Sequence, residues 1–293
     1  RRSAGTCAGW RLAKGNMMRD ISPAILAAYT CPDPLEKAQL AQEIYTDLCA
    51  QAYDHAAPID IGLRPGRPDK PELLAPRFVP RRRITKASTG RIALLHAIAH
   101  IELNAIDLSL DIAVRYADYR LPFDFVRDWM SVASDEGRHF TLLHHRLKEL
   151  GSHYGALPAH DGLWEAAVKT APDLAGRLAI APLVLEARGL DVTPQLITKM
   201  REVEDHASAE ILEVIMHDEV GHVGTGKRWF DYVCGCERRD PISSWQSLVK
   251  QYFNGALKPP FNVPARTAAK FSSAFYGPLA AEQARKEAAN RQS

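Results

Sequence analysis

The chain has 293 residues, a formal net charge of +2, 46% hydrophobic and 25% charged residues. These ordinary values exclude collagen-like and extensively disordered classes, and no apolar run reaches the ~18–20 residues of a spanning helix. Charge this close to zero gives no bulk attraction to nucleic acid or membrane, and five scattered cysteines (Cys7, Cys31, Cys49, Cys234, Cys236) argue against a secreted disulfide framework.

With no apolar segment behind Arg1 and Arg2, no signal peptide is read and a cytoplasmic location is expected. Residues 1–87 read as an N-terminal helical extension followed by a basic, proline-rich loop. Asp33 as N-cap and Pro34 at the first helical position predict a helix to about Tyr53, with Leu35, Ile44 and Leu48 on its apolar side. Between residues 60 and 91, nine Lys or Arg stand against Asp60, Asp69 and Glu72.

Residues 88–235 are patterned as helix throughout, with no strand signal. Long helices are predicted over about 89–116, 122–151, 173–187 and 205–233. The third loses its pattern at Gly189, and Thr193-Pro194 reads as the cap of a separate short helix. Residues 236–293 read as a C-terminal helical extension, with a helix near 244–253, a proline-rich link at 259–264 and a polar, fraying end.

Each long helix carries a glutamate where its core should be. Glu102 is flanked at helical spacing by Leu95, Ile98, Ala99 and Ile106; Glu136 by Trp129, Val132, Ala133 and Phe140. Glu186 has Leu178, Pro182, Leu183 and Leu190, and Glu219 has Leu212, Ile215, Val223 and Phe230. A lone buried carboxylate costs several kcal/mol or takes up a proton, and four converging ones repel unless cations neutralise them. That placement calls for metal.

Two of the glutamates have a histidine three residues on: Glu136-Gly-Arg-His139 and Glu219-Val-Gly-His222. Positions i and i+3 lie about 60° apart around a helix, so both side chains can reach one ion. The order Glu, Glu-x-x-His, Glu, Glu-x-x-His is the ligand pattern of di-iron and di-manganese sites in ferritin-like four-helix bundles. Intervals of 34 and 33 residues within the halves, and 50 between them, suit two helix hairpins joined by a long crossover. The expected fold is therefore all-α, a ferritin-like four-helix bundle with extra N- and C-terminal helical segments. Asp135 and Asp218 precede the two motifs, and each could take the Nδ1 proton of its own helix's histidine or of the counterpart across the bundle.

The constellation resembles the ferritin-like di-iron superfamily. The stretch His96-x3-His100-x-Glu102-Leu-x-Ala-Ile-Asp107, with the two Asp-Glu-x-x-His motifs, looks most like a bacterial ferritin-like family of unknown function. That family is itself similar to the tRNA methylthio-isopentenyladenosine hydroxylase. The resemblance implies two metals, iron with manganese as the alternative, bridged by carboxylates and open to dioxygen or peroxide. On this chain the ligand positions are Glu102, Glu136, His139, Glu186, Glu219 and His222.

Other features carry less. His96 and His100 lie away from Glu102 on the helical wheel and are expected to face a neighbouring segment or solvent. His144, His145, His206 and His217 are expected at the surface or in ordinary hydrogen bonds. Cys234-Gly-Cys236 lacks the paired knuckles of a rubredoxin-type iron site. Pro182, one turn before Glu186, suits either a kink or π-bulge that aims the glutamate or a tolerated irregularity. The basic run Arg77, Arg81, Arg82, Arg83 and Lys86 has only Phe78 to stack a base, so a solvated loop is favoured over a tRNA contact.

The leading functional expectation is a non-haem di-iron oxidoreductase that activates dioxygen to hydroxylate or oxidise a small organic molecule, fed by an external electron donor. The alternatives are a ferroxidase or peroxide-handling iron protein, a tRNA-modifying hydroxylase, and a non-enzymatic metal-stabilised binding module.

Overall fold

The computed structural model describes residues 19–79, 84–119 and 121–290. Arg81, Arg82 and Arg83 of the basic run, Cys7, and the N-terminal Arg1 and Arg2 lie outside the described residues. Among those described, the protein is all-α and contains no strand; extended backbone meets only at two isolated bridges, Asp20–His55 and Leu73–Ala159. No described helix is long and apolar enough to cross a membrane.

Helix α1 spans Ser22–Thr30 and α2 Pro34–Cys49. Asp33 caps α2 by accepting from the Glu36 N–H at 2.8 Å. α1 has no polar-apolar rhythm strong enough to announce it, and it forms because Ile25, Ala28 and Tyr29 bury against the rest. Two long helices follow, α3 Ser88–Arg115 and α4 Phe123–Glu149, with Gly151 at positive φ closing the second. The connection back contains α5, Gly162–Thr170.

A composite rod comes next: α6 Leu174–Ile180, a π-helical segment Ala181–Glu186, and α7 Ala187–Glu202. Helix α8, His206–Cys236, returns alongside it with Asp205 as cap. The C-terminal part adds α9 Pro241–Tyr252, α10 Val263–Ala268 and α11 Ser273–Asn290. The C-terminal segment is helical as far as Asn290, with Phe275, Tyr276 and Leu279 buried at its start.

The third predicted helix needs correction. It does not stop near Gly189, and Thr193-Pro194 is no cap, because α7 runs straight through both. Proline removes the N–H that would bond the Leu190 carbonyl. Asn262 replaces that donor, its Nδ2 reaching Leu190 O at 3.1 Å.

α3 packs on α4, α4 on α8, and α8 on the rod, while α3 and α7 face each other across a gap. The terminal segments close the outside of this frame. α3 is buried nearly all round from Leu94 to Val114, which brings Asp107 and Asp111 inside. Buried carboxylates require partners. Asp107 pairs with Lys37 of α2 and with Arg67 Nε at 2.9 Å; Asp111 pairs with Arg177 of α6 and with Arg115 at 2.6 Å. These pairs fasten α2 and the 58–79 segment onto α3. One continuous apolar core draws on all parts, from Ile25 and Ile44 through Leu103 and Phe140 to Trp245 and Phe271.

Candidate metal centre

Glu102 comes from the middle of α3, Glu136 and His139 from α4, Glu186 from the end of the π segment, and Glu219 and His222 from α8. Glu136 and His139 are completely buried, and Glu186 and Glu219, the most accessible of the six, retain 9% exposure. A π turn carries one residue more than an α turn and so rotates the later residues of the rod about its axis. The second residue of the π segment, Pro182, packs on Gly226 so closely that a Cβ at 226 would lie 2.3 Å from Pro182 Cβ.

Four of the six, Glu102, Glu136, His139 and Glu219, offer ligand atoms within 4.8 Å of one another. His139 Nδ1 stands 3.1 Å from Glu102 and 3.5 Å from Glu136. His222 Nδ1 stands 2.9 Å from the other oxygen of Glu136 and 3.8 Å from Glu219. Glu136 therefore lies between the two imidazoles. Glu186 acts electrostatically on Glu219, Glu136 and His222.

Both oxygens of Glu136, one each of Glu186 and Glu219, and Nδ1 of His222 are buried without a hydrogen-bond partner. The 2.9 Å approach of His222 to Glu136 lacks hydrogen-bond alignment, as expected when both atoms aim at a shared third centre. Buried polar atoms are almost always satisfied, so this concentration fits a donor set for hard or borderline cations.

The charges of the cluster shift the titration of its own members. Burial and the Glu136 carboxylate push Glu102 well above the usual carboxyl range. Burial and Glu219 do the same to Glu186, and burial and Glu136 raise Glu219. Burial also pushes Glu136 upward, but His222 and His139 outweigh it and hold that carboxyl low. Burial disfavours the His139 imidazolium, yet Glu102 and Glu136 raise it to about 11, and Glu136 and Asp135 likewise raise His222.

The far nitrogens of both imidazoles meet the two aspartates across the bundle. His139 Nε2 is 2.9 Å from Asp218, and His222 Nε2 is 3.4 Å from Asp135. The nitrogen expected to face the aspartates was Nδ1; it is Nε2, because Nδ1 of each ring is turned onto the glutamates. Such a partner fixes the tautomer and ring direction. Arg138, inside the first Glu-x-x-His motif, joins the pair by donating to Asp218 at 2.6 Å and Asp135 at 3.2 Å. Sequence reasoning passed over Arg138, although its position one residue before a motif histidine puts it beside the same aspartates.

The remaining candidates settle elsewhere. Of the two placements expected for His96 and His100, both take the neighbouring segment: they are buried, His96 Nε2 accepts from the Gly155 N–H at 2.9 Å, and His100 Nδ1 pairs with the Tyr154 hydroxyl at 2.8 Å. Both pin the segment after α4. His145, His206 and His217 are exposed and His144 is half-buried. Cys234 and Cys236 are free thiols.

Comparison with known proteins gives a relative but no activity. An uncharacterized protein of Haemophilus influenzae (strain ATCC 51907 / DSM 11121 / KW20 / Rd) is 39% identical over 250 residues, covering 82% of this chain and 86% of the relative. No solved structure matches the chain. A family profile described as "Protein of unknown function (DUF455)" matches residues 30–277, and the chain, with all six clustered residues inside that span, belongs to this family.

Proposed function

We propose that the cluster holds two metal ions, iron by the ferritin-like resemblance, with Glu102, Glu136, His139, Glu186, Glu219 and His222 as ligands, and that the protein is an oxygen-dependent oxidoreductase acting on an organic molecule. The observation that carries this reading is the set of unpartnered carboxylate oxygens on Glu136, Glu186 and Glu219, the last two at one end of an apolar cavity. Bound there, an iron pair supplies the redox chemistry of dioxygen reduction and C–H oxidation.

The chain's own residues do the rest. Glu136, between both imidazoles, is the carboxylate best placed to serve two ions. Asp218 and Asp135 hold the histidine rings with Nδ1 inward and Nε2 protonated. Arg138 keeps those aspartates ionised: burial alone would raise them, and their imidazole and guanidinium partners hold both below the usual range. The hydrocarbon walls above Glu102, Glu186 and Glu219 limit water at the centre. Electrons come from an external donor, since the chain contains no rubredoxin-type cysteine pairs.

Oxygen uptake by the ferrous-loaded protein tests the reading. Uptake that halts after one turnover without reductant, and leaves iron bound at constant stoichiometry, is the expected result. Progressive accumulation of ferric iron beyond the ligand set would instead assign an iron-handling role.

A further inference from the structure

The gap between α3 and α7 leads to the glutamates. It encloses about 220 Å³, with Glu102, Glu186 and Glu219 at one end. Its walls are hydrocarbon, including Leu94, Ile98 and Ala105 of α3, Leu196 of α7, and Leu212 and Ile215 of α8, and Thr193 is the one uncharged polar side chain among them. A second cavity of about 310 Å³ adjoins it, sharing Ile101, Leu163, Leu185 and Arg188 as common wall.

The outer cavity is also mainly apolar, with Phe253, Leu257 and Phe261 in its wall, but its charged minority is of the opposite sign. Arg188, Lys258 and Arg266 line it against the single carboxylate of Asp191. Arg266 is bound up with Asp191, at 2.7 Å. Arg188 is the cation at the junction, 42% exposed, and its Nη1 also stands 3.6 Å from Asp191. Among the described residues its hydrogen bonds run through Nη1 alone, to the carbonyls of Lys258 at 2.7 Å and Pro260 at 3.3 Å. Its Nε and Nη2 edge is the part of the guanidinium suited to bidentate capture of an anion.

Gly189 adds a second observation. It sits inside α7 and lines the inner cavity, and a Cβ built there meets no heavy atom within 4 Å. No close backbone approach requires glycine at this position, although glycine weakens a helix interior. Any larger side chain would stand in the cavity.

We propose that the two cavities form one site for an anionic amphiphile: an apolar chain in the inner cavity and its negative end on Arg188. By comparison with the ~150 Å³ apolar cavity that holds one benzene, the inner space takes about six to nine carbons. Calling this guest the substrate rests on the oxidoreductase reading; its binding does not.

The test is calorimetric titration of metal-loaded protein, its metal content measured in the same sample, with octanol, octanoate and octyl phosphate. The expected result is that at least one anion binds about tenfold or more tightly than octanol, as charge-assisted hydrogen bonds allow. The comparison of octanoate with octyl phosphate identifies the headgroup. From butanoate to octanoate, each added methylene should tighten binding about fourfold. Arg188→Met should erase the preference for the anion while leaving octanol binding intact. Gly189→Leu should abolish binding of all three, and Gly189→Ala, whose Cβ meets no heavy atom within 4 Å, should not lower the melting temperature, because alanine favours helix. Octanol binding as tightly as both anions, an anion preference that survives Arg188→Met, or a metal-loaded protein that binds none of the three would overturn the proposal. Binding of octanoate by protein that takes up no metal would instead remove the oxidoreductase reading and leave the amphiphile site in place.

Discussion

Glu136 reaches Nδ1 of His139 at 3.5 Å with one oxygen and Nδ1 of His222 at 2.9 Å with the other. A carboxylate in that position serves both halves of the site, so Glu136→Ala should lose metal from both positions. Metal analysis of the purified variant checks this, and full two-metal occupancy would contradict the assignment. The aspartates behind the histidines give a graded prediction. Asp218→Asn and Asp135→Asn should each weaken metal binding about 10–100-fold. Asp218 should matter more, because its contact is 2.9 Å against 3.4 Å. Competition with a chelator of known affinity measures both. The glutamates and motif histidines were legible in the sequence because a charge in the middle of an apolar helical stripe is conspicuous. The nitrogen facing each aspartate was not, since ring orientation depends on a distant helix, as the separations of 79 and 87 residues show.

The elements governed by their chain neighbours were the easiest to read. Asp33, Asp205 and Pro34 mark helix starts by local hydrogen bonding and fixed φ, and the structure has helices beginning there. The rod was illegible for the complementary reason. Its passage through Pro194 depends on Asn262, 72 residues from the carbonyl it satisfies, and its π segment on the space left by Gly226. Gly226→Ala should therefore destabilise the protein by about 1–3 kcal/mol through overpacking against Pro182. It should also weaken metal binding by displacing Glu186. Gly224→Ala, whose Cβ would sit 3.8 Å from Ala269 Cα in ordinary contact, is the control and should stabilise by up to about 1 kcal/mol. Denaturant unfolding of both variants gives the comparison. Equal stabilities would remove the steric account of the π segment.

At the scale of the whole molecule, metal and protons compete for the same interior. In the metal-free protein Glu102, Glu186 and Glu219 have folded-state pKa values above their unfolded ones. Their contribution to stability is present at low pH and is lost as pH rises through the raised values. His139 acts in the same direction: its contribution is full below about 6.5, its unfolded value, and disappears as pH rises through about 11. Asp135 and Asp218, held low, contribute oppositely, but their loss is confined to acid below the ordinary carboxylate range. Metal-free protein should thus lose stability from neutral to alkaline pH. The gain in melting temperature on adding metal should widen over the same interval, because bound metal displaces the protons. Melting curves with and without metal from about pH 6 to about pH 9 check this; a gap that narrows with pH would contradict it.

In the proposed two-metal centre, four buried glutamates and two histidines are the ligands. Its direct test is the metal-to-protein ratio, by mass spectrometry, of the 293-residue chain purified without added metal and then reconstituted with ferrous iron without oxygen. Saturation at two ions per chain is expected, falling well below one in Glu136→Ala with the helical fold retained. Folded wild-type protein that binds no iron, manganese or other divalent ion at the six residues would contradict it.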